Sequence, residues 1–163
     1  MSTKTATLTL TGDMRFDAVV GSGHTIVLDD GVSDAGARPS ELVGVALAGC
    51  TGMDVISILR KKRQAVTAYE IRVAGVQVEG HPHNFTRFDV THVVDGTDID
   101  PEAVRRAVEL SATKYCAVGS TLSSGQLELH HRYLVRTPGA EDIEAEVLVT
   151  GPGEDPAKLA ARA

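Results

Sequence analysis

The sequence contains no tryptophan, and its three tyrosines and three phenylalanines make up only 4% of 163 residues. Val, Leu, Ile and Ala must therefore fill the core. There is no basic excess either: 16 Lys and Arg against 22 Asp and Glu give a net charge of −6. Such a chain has no basic face with which to neutralise phosphates, which argues against nucleic-acid binding. No stretch approaches the roughly 18 consecutive apolar residues of a membrane span. The N-terminus reads as a strand and not as a signal-peptide core. Cysteine is scarce, with two in all, too few for the disulfide framework of a small secreted protein. A cytoplasmic location is expected, without membrane or nucleic-acid partners and with thiols reduced at rest. The hydrophobic share of 42% and the charged share of 23% are ordinary for a globular domain of this length.

The hydrophobic pattern divides the chain into elements. Thr5 to Thr11 alternates Thr with Ala or Leu, Arg15 to Val20 resumes the alternation, and His24 to Leu28 makes a third strand. The short turns between them, among them Gly21-Ser22-Gly23, predict an antiparallel meander. Pro39 then opens a helix over 39–63, with Glu41 at its positive end and Arg60 to Arg63 at its negative end. Apolar residues lie around most of this helix, so burial on all sides is expected. Tyr69 to Val78 and Phe85 to Val94 read as a hairpin, and Asp100-Pro101-Glu102 has the N-cap and first-turn residues of a second helix. Its apolar stripe is Val104, Ala107, Val108 and Ser111. A short helix starts near Cys116, a strand runs from Leu127 to Tyr133, and Ala145 to Thr150 has the pattern of one more. The composition shifts after Arg136, and the last residues (157–163) look frayed. Strand runs separated by single long helices indicate an α+β fold.

The two cysteines sit in helix-like contexts, Ala-Leu-Ala-Gly-Cys-Thr-Gly-Met-Asp-Val (46–55) and Lys-Tyr-Cys-Ala-Val-Gly-Ser (114–120). They are too distant in sequence for a CxxC clip, so only folding can pair Cys50 with Cys116. A paired dithiol cycles between reduced and oxidised forms; two unrelated buried thiols are the alternative. Gly49 and Gly52 flank Cys50 and leave room for an oxidant, whereas Cys116 at a helix start has backbone N–H groups that lower a thiol pKa. Either sulfur is thus a candidate nucleophile. Asp54 follows Cys50 by four positions, on the same helix face, where it can orient a cation or simply pair at a surface. His24 is a candidate cation or proton shuttle. His81, His83, His92, His130 and His131 form no ligand set by spacing, since His130 and His131 point to opposite faces of one strand.

Several motifs resemble the OsmC/Ohr family (osmotically induced protein C and organic hydroperoxide resistance protein), and more closely its YhfA-like branch. They are Met14-Arg15-Phe16 with Ser22-Gly23-His24, Pro39-Ser40-Glu41-Leu42, Leu47-Ala48-Gly49-Cys50-Thr51 with Met53-Asp54-Val55, and Ile58 to Gln64. Phe85-Thr86 and Ala107 to Ser111 running into Lys114-Tyr115-Cys116 complete the set. The resemblance spans about positions 5 to 135. It implies an OsmC-like domain, taken as 1–136, and the shift in composition after Arg136 sets off 137–163 as a partly flexible C-terminal extension. It also implies an intertwined homodimer in which antiparallel sheets wrap long central helices and each interfacial site holds one cysteine pair.

By the same resemblance, Cys50 attacks a hydroperoxide and Cys116 resolves the product, with thiol or dihydrolipoyl reductants and neither metal nor other cofactor. An antioxidant, stress-response peroxidase is the expected activity. An Arg and a Glu activate the thiolate in the peroxidase branches, the Glu directly after a Pro. Here Ser40 follows Pro39, and Glu41 lies one residue on, about 100° further around the helix. Arg15 is the candidate cation. The alternative reading is an OsmC-like small-molecule-binding or redox-sensing dimer with little peroxidase turnover.

Overall fold

The N-terminal alternation of Thr with Ala and Leu forms strand β1 (Ala6–Leu10), antiparallel to β2 (Phe16–Val20), which pairs in turn with β3 (Thr25–Leu28). This is the expected meander. Gly23 closes the second turn at φ +87°, in the left-handed region that favours glycine, while the Val20 N–H donates to the His24 carbonyl at 3.0 Å. These strands belong to the first of two compact units in the computed structural model, Met1–Val43 and Gly44–Ala163, and the structure describes residues 2–152. The tail expected to fray over 157–163 lies outside the described residues.

A loop after β3 is organised by one buried carboxylate. Asp29 accepts hydrogen bonds from the Ser33 hydroxyl, from the Gly31 N–H at 2.5 Å and from the Ala35 N–H at 2.7 Å. The Ser33 bond first, then the two backbone bonds, hold its pKa down to about 2.

Helix α1 (Pro39–Lys61) follows. Its end is a Schellman motif: the Arg63 N–H donates to the Arg60 carbonyl at 2.9 Å and the Gln64 N–H to the Leu59 carbonyl at 3.0 Å. Arg63 itself occupies the left-handed position, at φ 57°. The basic run is therefore a helix terminus. By length and composition alone α1 is apolar enough to cross a membrane, with a mean hydropathy of 1.9 over 18 residues. The expected all-round burial is not met within one chain. Leu47, Val55 and Leu59 are fully buried, but Val45 is 63% and Met53 74% exposed. One face of α1 packs on its own chain, and the opposite apolar stripe is left uncovered.

In the second unit, β4 (Ala65–Gln77) and β5 (Phe85–Thr97) form the expected hairpin. β4 begins earlier than its alternation shows, because a bulge between Val66 and Ala68 breaks the period of two. Helix α2 (Pro101–Leu110) starts as its sequence dictates, with Asp100 accepting from the Glu102 N–H at 2.9 Å. A π turn (Ser111–Tyr115) leads to α3 (Ala117–Ser123), β6 (Glu128–Arg136) and β7 (Ile143–Thr150). Sheet order is β4-β5-β6-β7. β5 and β6 are parallel, since the intervening helices return the chain to the end at which β5 began. This makes the sheet mixed rather than wholly antiparallel. Val55 and Leu59 of α1, Val104, Ala107 and Val108 of α2, and Val94, Tyr133 and Val135 of the sheet share one core.

The Asp29 loop gives a pH prediction. A carboxylate whose folded pKa lies below its ordinary value stabilises the fold above about pH 4 and loses that effect as pH falls toward 2. Asp29→Asn should therefore be less stable than the parent near neutrality, with the gap closing as pH falls. Urea unfolding midpoints measured between pH 7 and 2 check this, and a pH-independent gap would refute it.

Candidate active site

Helix α1 places Cys50 and Asp54 on one face by their i, i+4 spacing, and the cap of α3 brings Cys116 to them. The two sulfurs and a carboxylate oxygen of Asp54 lie within 4.8 Å of one another. Both cysteines are free thiols, Cys50 partly exposed and Cys116 buried. Forming a disulfide requires the sulfurs to close to about 2.05 Å.

The π turn supplies the local geometry. The Cys116 N–H donates to the Ser111 carbonyl at 2.9 Å, a five-residue step in place of the usual four. Cys116 thereby leaves the helical ladder and becomes the N-cap of α3, its sulfur accepting from the Gly119 N–H at 3.2 Å. The expectation that this cap lowers the thiol pKa is overturned. Burial, then the hydrogen bond with Cys50, push Cys116 up to about 12 against the opposing Gly119 bond; the charge of Asp54 adds to the rise. A thiol that is 3% exposed loses more from desolvation of its anion than one N–H restores.

Ser111, assigned to an apolar stripe by periodicity, is the polar hinge of the site. It is fully buried, and its hydroxyl lies 3.0 Å from an Asp54 oxygen, to which it donates, and 2.9 Å from the Thr51 hydroxyl. A serine among core positions requires such partners, and that requirement was the available signal. Gly52 also differs from expectation. A Cβ there would collide with Ile71 Cδ1, so this glycine allows close helix-to-strand packing and does not make room for an oxidant. A Cβ at Gly49 would meet nothing within 4 Å.

A second polar pair lies in the same unit. The Tyr69 hydroxyl and His92 Nδ1 are 2.7 Å apart. Burial, then the charge of Asp54, raise the Tyr69 pKa. His92 and His131 are held neutral by burial, at about 3 and about 4. His130 lies on the opposite face, 3.2 Å from Glu128, and among the described residues no histidine joins a ligand-like group.

The remaining candidates belong to the first unit, or to the stretch of α1 that begins in it, and have local partners there. Arg15 pairs with Asp17 at 3.2 Å, Glu41 accepts from the Arg38 N–H at 2.9 Å, and His24 is exposed in the β2–β3 turn. The structure thus brings together Cys50, Asp54 and Cys116, and shows Arg15 and Glu41 with local partners and His24 exposed.

The family model for OsmC-like proteins matches residues 31–132, a span that includes both cysteines. The chain belongs to the OsmC/Ohr family. Protein YhfA of Escherichia coli K12 is 40% identical over 114 residues, covering 70% of this chain and 84% of YhfA, which places the chain on the YhfA-like branch. A solved structure of a hypothetical protein from Aquifex aeolicus shares 29% identity at a TM-score of 0.75, covering 84% of this chain and 98% of that one. The organic hydroperoxide resistance protein OhrB of Bacillus subtilis shares the fold at 16% identity and a TM-score of 0.54, covering 83% and 98%. This OsmC/Ohr protein therefore has the α+β fold of its family with two cysteines close together.

Removing the Ser111 hydroxyl leaves Thr51 and Asp54 without their shared buried partner. Ser111→Ala should lower unfolding free energy by about 1–3 kcal/mol in urea titrations. An unchanged midpoint would show that the hydroxyl contributes nothing.

Proposed function

We propose that this protein reduces organic hydroperoxides through the Cys50–Cys116 dithiol. The observation that carries the reading is a partly exposed thiol with a buried thiol within 4.8 Å. The Cys50 thiolate attacks the terminal peroxide oxygen. An S–O bond forms, the O–O bond breaks, and the alkoxide leaves as an alcohol after taking a proton. The Cys116 sulfur then attacks the Cys50 sulfenic acid, forming the disulfide and releasing the hydroxyl as water with the Cys116 proton. Asp54 lies within reach to accept that proton as the attack begins. A reductant dithiol, of the dihydrolipoyl kind, restores both thiols by exchange and becomes a disulfide itself.

Exposure and pKa support this division of roles. Cys116 at about 12 is a thiol at neutral pH, suited to resolve rather than attack. Arg15 is the candidate cation for the peroxide bond, with Glu41 and His24 as candidate orienting or proton-shuttling groups, on family resemblance. The proposal extends to a role in antioxidant stress response within the cytoplasm, a reading that the likeness to a hydroperoxide resistance protein and the small number of cysteines support. Ser40 after Pro39 and an acid beside the thiols favour the second reading, a binding or redox-sensing protein with little turnover.

Cys50→Ser should abolish the rapid reaction with an alkyl hydroperoxide, whereas Cys116→Ser should still react once and stop at the sulfenic acid. Stopped-flow peroxide consumption with dithiol recycling tests this. A Cys50→Ser protein as fast as the parent, or a parent no faster than free cysteine, rejects the peroxidase.

The assembly is proposed to be a homodimer through α1. Val45, Gly49 and Met53 recur every four residues on one helix face, with Val45 and Met53 largely exposed in the single chain. A second copy of the same stripe would cover it. Sedimentation should show a dimer for the parent and a monomer for Met53→Lys; a dimer unaffected by Val45→Glu and Met53→Lys together places the interface elsewhere.

A further inference from the structure

We propose that the reduced protein binds one thiophilic divalent cation of the zinc type through Cys50, Cys116 and Asp54. The donor set carries the argument: two sulfurs and one carboxylate oxygen lie within 4.8 Å of one another. Around tetrahedral zinc, with bonds of about 2.3 Å to sulfur and about 2.1 Å to oxygen, ligand atoms stand roughly 3.5–3.8 Å apart. The three donors need to contract by about 1.3 Å at most to reach that spacing. Three protein ligands leave the fourth position of the tetrahedron open to solvent or a small ligand.

Two of the three donors are also oriented by a second group, as metal ligands usually are. Ser111 donates to Asp54 at 3.0 Å, and the Gly119 N–H donates to the Cys116 sulfur at 3.2 Å. Cys50 and Asp54 are held on α1 and Cys116 on the cap of α3, so the donors come from regular elements and not from a loop. Cys50 is partly exposed, giving the ion a way in.

The electrostatics point the same way. Three groups that are anionic when deprotonated crowd one small space, and a dication placed among them balances their charge. Binding displaces one proton from each thiol to solvent, and the two thiolates and the carboxylate leave a complex of net charge −1. Hard cations fit poorly, since calcium takes six or more oxygens and magnesium an octahedron, and this set offers one carboxylate.

On the hydroperoxide reading above, the same sulfurs serve both events, so a bound ion would shield them from oxidation. Saturating Zn2+ should slow peroxide consumption at least about tenfold, with recovery on chelation. An unchanged rate would overturn this shared use of the sulfurs, without bearing on the binding measured next.

The site itself is tested on the full reduced chain with Co2+ as a spectroscopic probe and Zn2+ in competition with a chromogenic chelator. The expected result is one ion per chain, a sulfur-to-cobalt charge-transfer band and the intense visible bands of tetrahedral cobalt. Affinity for Zn2+ should fall at least about 100-fold in Cys50→Ala and at least about tenfold in Asp54→Asn. Alkylating Cys50 in the parent gives the same loss without substitution, should a variant fail to fold. Stoichiometric binding that survives both Cys50→Ala and alkylation, or a parent with no tighter binding than the alkylated protein, overturns the proposal.

Discussion

One buried hydroxyl ties the two halves of the thiol site together. Ser111 lies in hydrogen-bond range of Thr51 and donates to Asp54, both on α1, while its own carbonyl accepts the N–H of Cys116. The π turn makes this triple attachment possible. In an uninterrupted α-helix the Cys116 N–H would bond to residue 112, and Cys116 would sit in mid-helix without a free cap position. The extra residue in the ladder ends α2, turns Cys116 into the N-cap of α3 and brings its sulfur close to Cys50. An unpaired hydroxyl at this depth costs about 1–3 kcal/mol, so the arrangement persists only because every partner is present.

The environment so built is chemically two-sided. Burial and the neighbouring acid hold Cys116 as a thiol, which suits a resolving group and works against a second nucleophile. The charge of Asp54 adds to the rise at Cys116, and peroxide chemistry at Cys50 calls for a cation to hold its thiolate. The resemblance assigns that task to an arginine, whereas the three donors themselves are disposed to receive a metal ion. Both proposals come from one physical fact, the crowding of potential anions at a partly exposed helix face.

The apolar surface of α1 carries a separate lesson. Its composition, apolar nearly all round, was legible as a demand for burial. One chain satisfies that demand only on the Leu47, Val55 and Leu59 face, and the Val45 and Met53 face stays uncovered. Composition reports how much surface must be hidden, but not whether the same chain hides it.

Much else was legible because it is local. Asp100 and Pro101 mark the start of α2 by capping chemistry, Arg60 to Arg63 mark the end of α1, and period-two alternation marks the hairpin of β4 and β5. The Cys50–Asp54 pairing also follows from helical spacing alone. The bulge at Val66–Ala68, the parallel pairing of β5 with β6, the Tyr69–His92 bond and the burial of Cys116 do not. Each depends on which distant segment comes to lie alongside, and a window of ten residues contains no record of that. So the sequence by itself determined the elements, the family and the residues able to carry redox chemistry. Only the tertiary structure decided that Cys50 and Cys116 meet, that Ser111 bonds to Asp54 beside them, and that desolvation outweighs the N-cap at Cys116, because proximity and burial are properties of the closed chain.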